Sequence, residues 1–170
     1  MNIFFLNLDP KKAAEMHVDK HVVKMIVEHL QMLCTTHHIL GSQNKEFKPP
    51  YKKTHPKHPC NLWLQKSLSN YLFLIKFTEE LLSEYTYRYG KIHKCQSYIQ
   101  NMKDNLPNLE DIGLTVPLQA MPDIYKTDKT SFDDVIESYK QYYYFEKRHI
   151  FSWKKREIPD FIKEYDAIFN

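Results

Sequence analysis

Glycine is nearly absent: the 170 residues hold three, Gly41, Gly90 and Gly113, and none lies within twenty positions of another. Phosphate-cradling loops and dinucleotide fingerprints need clustered glycines, because backbone must approach phosphate closely. Both are excluded. Scarce glycine also leaves few tight turns, which argues against an all-β fold. The cysteines are Cys34, Cys60 and Cys95, an odd number at wide spacing. That pattern argues against a disulfide framework and for a reducing compartment. No window reaches the ~18 consecutive apolar residues of a membrane span. The opening MNIFFLNLDP lacks a basic region and meets Asp9 too early for a secretory signal. GxSxG, HExxH and CxxC are all missing. Hydrolases built on a nucleophile elbow are thereby excluded. A helical pair such as His17 and His21 could share a metal, but a third ligand would have to come from elsewhere, for example His55 or His58; a histidine pair hydrogen-bonded to acids is expected instead, with no metal and no other cofactor. The net charge of +3 decides little about partners.

The chain is aromatic, with twelve Tyr, ten Phe and two Trp, and its 42% apolar and 26% charged content is ordinary for a globular protein. Its length fits one domain. Residues 2–7 form a short apolar run, either a strand or a buried arm. Asp9-Pro10 starts a helix, with Asp as cap and Pro at the first helical position. From Lys11 to Leu40 the pattern is helical, with a possible break near His17–Asp19. Val22, Val23, Ile26, Val27, Leu30, Leu33 and Cys34 make a wide apolar face, and Gly41 ends it. Residues 42–58 carry three prolines and five lysines and read as a basic loop. A second long helix is expected from His58-Pro59 to about Arg88, then a shorter one over 93–104. Residues 105–130 read as irregular. Ser131 with Asp134 resembles a capping box opening a helix to about His149, and 158–168 gives a last helix. The expected fold is all-α: one domain over 1–170, a bundle of four to six helices with long irregular loops.

Three groups of residues carry possible chemistry. His17, His21, Lys24, Glu28, Gln31, Thr35 and His38 step along one helix by three or four, forming a polar stripe. A solvated face would alternate Glu and Lys. This stripe mixes imidazole, amine, carboxylate and amide, and Lys24 and Glu28 stand at i, i+4, where they can meet. The loop 52–63 places His58 near a helix cap among Lys52, Lys53 and Lys57, a setting for an anion or a solvated basic loop. The segment 147–156 encloses Phe151 and Trp153 with Lys147, Arg148, Lys154, Lys155 and Arg156, which suits phosphate contact plus base stacking, or a Trp closing the core with lysines at its border.

The segments DKHVVKMIVEHLQML (19–33), KHPCNLW (57–63), EYTYRYGKIHK (84–94), MPDIYK (121–126) and EKRHIFSWKKREIP (146–159) resemble a family of small proteins common in tailed-phage and other large viral genomes. A second resemblance is to the pyrimidine-dimer DNA glycosylase (excision) family. It is carried by Asp19, Lys20, His21, Lys24, Glu28, Gln31, His58, Pro59, Trp63, Pro122 and Asp123. These resemblances imply a viral protein in the cytoplasm of an infected cell, acting on DNA at an N-glycosidic bond. The partner would be DNA or a nucleotide-like ligand, with no membrane contact.

Such chemistry needs a carboxylate to stabilise a sugar cation or position water, and a lyase step needs an amine that forms a Schiff base. On this reading Glu28 is the carboxylate, Lys24 the amine and His21 the acid–base partner. Lys20, His58, Lys147, Arg148, Lys154, Lys155 and Arg156 hold phosphate, while a flipped base stacks on Trp63 or Trp153. One departure bears on mechanism. Phage dimer glycosylases use an N-terminal threonine amine freed by removal of Met, whereas residue 2 here is Asn. The expectation therefore shifts the amine from the terminus to Lys24. The alternative is a non-catalytic protein that sequesters a nucleotide-like molecule in a polar pocket.

Overall fold

A computed structural model describes residues 1–170. The chain is all-helical, with one isolated β-bridge between Ser42 and Pro107 and no strand. Seven α-helices form, against an expectation of four to six: α1 (Pro10–Met16), α2 (Asp19–Leu40), α3 (Pro59–Leu64), α4 (Leu68–Tyr89), α5 (Gln96–Asp104), α6 (Phe132–Lys147) and α7 (Asp160–Phe169). Single 3-10 turns lie at Asp123–Tyr125 and Arg148–Ile150.

Two breaks account for the higher count, the first enforced by distant side chains and the second by nearby ones. Between α1 and α2, Val18 is extended. Its N–H donates to the Tyr143 hydroxyl at 3.0 Å. The α1 carbonyls left open are taken by Arg88, which reaches His17 O at 2.8 Å and Glu15 O at 3.0 Å. A guanidinium thus serves as the C-terminal cap of α1. Between α3 and α4, Ser67 is extended and accepts from Ser69 N, capping α4. Asn70 Nδ2 takes the Trp63 carbonyl at 2.8 Å. The helix expected to run unbroken to Arg88 is therefore two.

The local signals at other ends act as their chemistry suggests. Asp9 accepts from Lys11 N with Pro10 at the first position. Ser131 Oγ accepts from Asp134 N. Gly90, at φ +65°, closes α4 in the left-handed conformation that favours glycine.

The centre of the molecule is the contact between α2 and α4, with α1 packed on α4 and α3 on α2. Residues Ile3–Leu6 run through the interior at no more than 4% exposure, so the N-terminal run is a buried arm and not a strand. The irregular segment 105–130 is held by side chains that pair with its backbone. Trp63 Nε1 donates to Thr115 O, Asn70 Oδ1 accepts from Thr115 N, and the Tyr139 hydroxyl donates to Leu118 O. Its polar groups are satisfied without a sheet. No helix is long and apolar enough to cross a membrane. All three cysteines are free and buried.

Candidate active site at the end of the N-terminal arm

The polar stripe is neither one helix face nor wholly solvated: His17 ends α1, the rest lie on α2, and Lys24 and His38 are exposed. Its first members lie under the N-terminal arm and α6: His17 and His21 are buried, at 0% and 6%. Lys24 is exposed and forms no ion pair with Glu28. Glu28 instead faces the end of the arm, where the Met1 α-amine lies 3.2 Å from its Oε1. Both partners are largely covered, at 9% and 13% exposure. The buried arm anchors the terminus and in doing so delivers it to the carboxylate.

Neighbouring residues hold that delivery in place. Asn2 is 7% exposed. Its Nδ2 donates to Ala120 O at 2.8 Å, while its Oδ1 accepts from Ile3 N and from the Cys60 thiol. The bulky second residue is a fixed clamp, not a flexible obstruction. His58 caps α3 by accepting from Cys60 N at its Nδ1, which leaves the proton of the neutral ring on Nε2. The ring faces the Met1 carbonyl. Burial, then the positive chain terminus and His55, hold its pKa below the ordinary histidine value. Burial pushes the Cys60 thiol up to about 12, so it is an inert wall of the site.

The loop beside the amine is a strained turn. His55 sits at φ +44°, a conformation costly for any residue with a Cβ. Asn61 restrains it, donating from Nδ2 to His55 O at 2.7 Å and to Thr54 O at 3.1 Å. Thr35 on α2 bonds Thr54 in both directions. The Asn61 Oδ1 is buried with no partner, and its amide nitrogen lies 3.9 Å from Met1 Sδ. An amine, a carboxylate, an imidazole and an orphaned amide oxygen therefore gather where the arm, α2 and α3 meet.

The remaining residues proposed from sequence divide sharply. His21 is buried at the other end of the stripe, its Nδ1 2.9 Å from the Tyr143 hydroxyl. Burial, then the charges around it, lower its pKa to about 3. Lys20 is exposed. Trp63 is 1% exposed with its indole N–H bound, so its faces are closed to a stacking base. Trp153 is half-buried, its Nε1 donating to Met16 O at 2.9 Å. Arg156 forks onto Glu84 at 2.9 and 3.0 Å. Arg148 meets Tyr144 and Asp166. Lys155 bonds Tyr87 O, and the Lys154 ammonium lies over the Tyr89 ring. These four basic side chains brace the fold. Lys147 reaches the N-terminal arm, with Nζ 5.9 Å from the Phe4 ring and no carboxylate partner.

The Met1 amine was weighed from the sequence and set aside for Lys24, while Asn61 and the buried Arg88–Glu84 pair were not singled out. The only local hint was Asn61, three residues past His58 on a Pro-started helix. No group of three or more His, Cys, Asp or Glu is placed to hold a metal ion. No family model, no curated protein and no solved structure matches this chain.

Proposed function

We propose that the protein is a nucleic-acid-directed enzyme of the glycosylase/lyase type, with the Met1 α-amine as nucleophile and Glu28 as its acid–base partner. The observation that carries this reading is the 3.2 Å contact between the two in a largely covered site beside His58. The sequence resemblance to the pyrimidine-dimer glycosylase family supports the same chemistry.

The amine attacks C1′ of a deoxyribose, and the base leaves with the glycosidic electron pair and takes up a proton. The C1′–O4′ bond of the resulting aminal then breaks to give an imine, and O4′ is protonated. Glu28 accepts the proton that frees the amine and returns one to O4′. An α-amine ordinarily titrates near ~8, against ~10.4 for a lysine side chain, so more of it is nucleophilic at neutral pH. The exposed Lys24, to which the sequence assigned this role, stands one turn from Glu28 and is replaced as nucleophile by the terminus. Closed indole faces leave base stacking to other groups, and half-buried Trp153 is braced too far into the C-terminal segment to be assigned that part.

The test is borohydride reduction in the presence of abasic-site DNA, followed by peptide mass mapping. A stable adduct on the Met1 peptide is expected, and N-terminal acetylation should abolish it. An adduct on Lys24 would return the chemistry to the side chain. No adduct, together with a nucleotide retained on the purified protein, would favour the binding-protein alternative.

A further inference from the structure

Two turns of α2 away from Glu28, on the same side of the helix, positive charge gathers without a counter-ion. The Phe4 ring of the arm stacks on His21, with centroids 4.8 Å apart and planes 9° from parallel. From α6, Lys147 brings its Nζ within 5.9 Å of Phe4 and 5.4 Å of Tyr142. Lys24 stands three residues from His21 on α2, His149 follows two residues after Lys147, and after burial and His17 these groups also disfavour a charged His21 ring. Glu28, seven residues along α2, is engaged by Met1. Asp19 is engaged by Arg88, Ser152 and Lys154. Glu146, next to Lys147, accepts from the Tyr125 hydroxyl.

The hydrogen bonds fix which nitrogen of His21 is free. The Tyr143 hydroxyl accepts from Val18 N at 3.0 Å and has one proton to give. His21 Nδ1, at 2.9 Å, is its acceptor, because the opposite tautomer would strand that buried hydroxyl proton. The His21 proton therefore sits on Nε2. That atom bonds to nothing in the protein, and it is not among the buried atoms without partners, so it opens to solvent. A donor lies at the base of the cluster and two ammonium groups lie at its walls. Like charges held together this way gain most from an anion with several acceptor oxygens.

Resting on the proposed glycosylase/lyase reading, we propose that His21 Nε2, Lys24 and Lys147, with His149 beside them, seat one phosphate of the substrate strand, a phosphodiester flanking the reacting nucleotide. Seven residues of helix separate His21 from Glu28, roughly 10 Å along the axis. That is the reach of about three stacked nucleotides on one strand. The seat thus holds the strand in register while the arm presents the amine to the sugar.

The experiment measures binding of an oligonucleotide carrying a tetrahydrofuran abasic analogue, which cannot form an imine. Neutral methylphosphonate linkages are placed one at a time around the analogue. In the parent protein one position should weaken binding about tenfold. Lys147→Gln should weaken binding by a similar factor, lower the slope of log affinity against log salt by about 1 and erase the penalty at that position. The exposed Lys24→Gln serves as the second variant, since it leaves the core untouched. Unchanged affinity in both variants, persistence of the methylphosphonate penalty, or no binding by the parent overturns the seat. Inorganic phosphate and a nucleoside monophosphate are titrated as competitors. If the monophosphate binds the parent more tightly than the oligonucleotide and loses affinity in Lys147→Gln, the seat serves a free nucleotide and the diester assignment falls. Because the analogue is unreactive, failure here is distinct from failure of the borohydride trap.

Discussion

Two clusters of buried charge flank α2, and they differ in how completely their groups are paired. Around Arg88, which is fully buried, every guanidinium nitrogen has a partner. Its Nε meets Glu84, its Nη1 meets Asp19 and His17 O, and its Nη2 meets Glu15 O. Arg156 closes the far side of Glu84. Around Met1, the pair with Glu28 has a free Lys24 one turn away, a strained turn alongside and an amide oxygen without a partner. Saturation is the mark of a structural ion cluster, because burial penalises each unpaired group. Incomplete pairing at the edge of solvent leaves valence for a ligand.

The largest expected effect comes from breaking the saturated cluster. Arg88→Met strips the cap from α1 and leaves Asp19 and Glu84 without their central cation. A loss of about 3–5 kcal/mol is expected. It would be read from the urea midpoint, and a loss below about 1 kcal/mol would remove the distinction drawn between the clusters.

Acid should act on the same end of the molecule. Burial holds His17 down from 6.5 to about 4; Arg88 reinforces the shift and Glu84 partly opposes it. Such a group stabilises the fold above pH 6.5, and the contribution is lost as pH falls toward 4. A shift of that size is worth about 3 kcal/mol. His37, also lowered by burial to about 4, adds in the same direction. The melting temperature should fall steeply between pH 6.5 and 4, and His17→Gln should shallow the fall. Equal pH dependence in parent and variant would refute the assignment.

Glu28→Gln sharpens the comparison from the other side. It keeps the shape of the side chain and an acceptor for the covered Met1 amine but removes the charge, so a loss of about 1–3 kcal/mol is expected, less than in Arg88→Met. Activity in the borohydride assay should fall at least ~100-fold. A stability loss as large as that of Arg88→Met would make the Met1–Glu28 pair structural after all.

The smallest effect is a gain. His55→Gly relieves a left-handed backbone worth roughly 1 kcal/mol, so the variant should be as stable as the parent or slightly more so. If the strain positions the loop for function, abasic-site trapping should slow in the same protein. Faster trapping would show the strain to be incidental.

Much of the framework was legible from local chemistry. Asp9-Pro10, Ser131, Gly41 and Gly90 mark helix ends through groups a few residues apart. The apolar face of α2 and the unusual composition of its polar stripe also follow from spacing alone. What stayed hidden depends on partners far along the chain. Arg156 reads as a phosphate contact until Glu84, 72 residues away, occupies its fork. The break after α3 is an exception, held by Asn70 only seven residues from the Trp63 carbonyl it binds. Lys24 looks like the partner of Glu28 because i, i+4 pairs are local, whereas a terminus can arrive from anywhere. The tyrosine run 142–144 reads as an aromatic face, yet the Tyr143 hydroxyl orients His21 and ends the break before α2.

The segment that closes the α1–α2 corner has a consequence for how the molecule forms. Ser152 bonds Asp19 across 133 residues, and Trp153 bonds Met16 across 137. During synthesis the first two helices therefore wait for most of the chain before their junction is sealed. The apolar run Ile3–Leu6 waits with them, since Phe4 needs Tyr143 and Phe5 needs Tyr139. Closing loops of this length costs entropy before any contact returns it, which slows folding relative to a simple up-and-down bundle. Ribosome-bound chains lacking α6 should accordingly expose a sticky N-terminal arm and depend on chaperones until the tyrosines of that helix emerge.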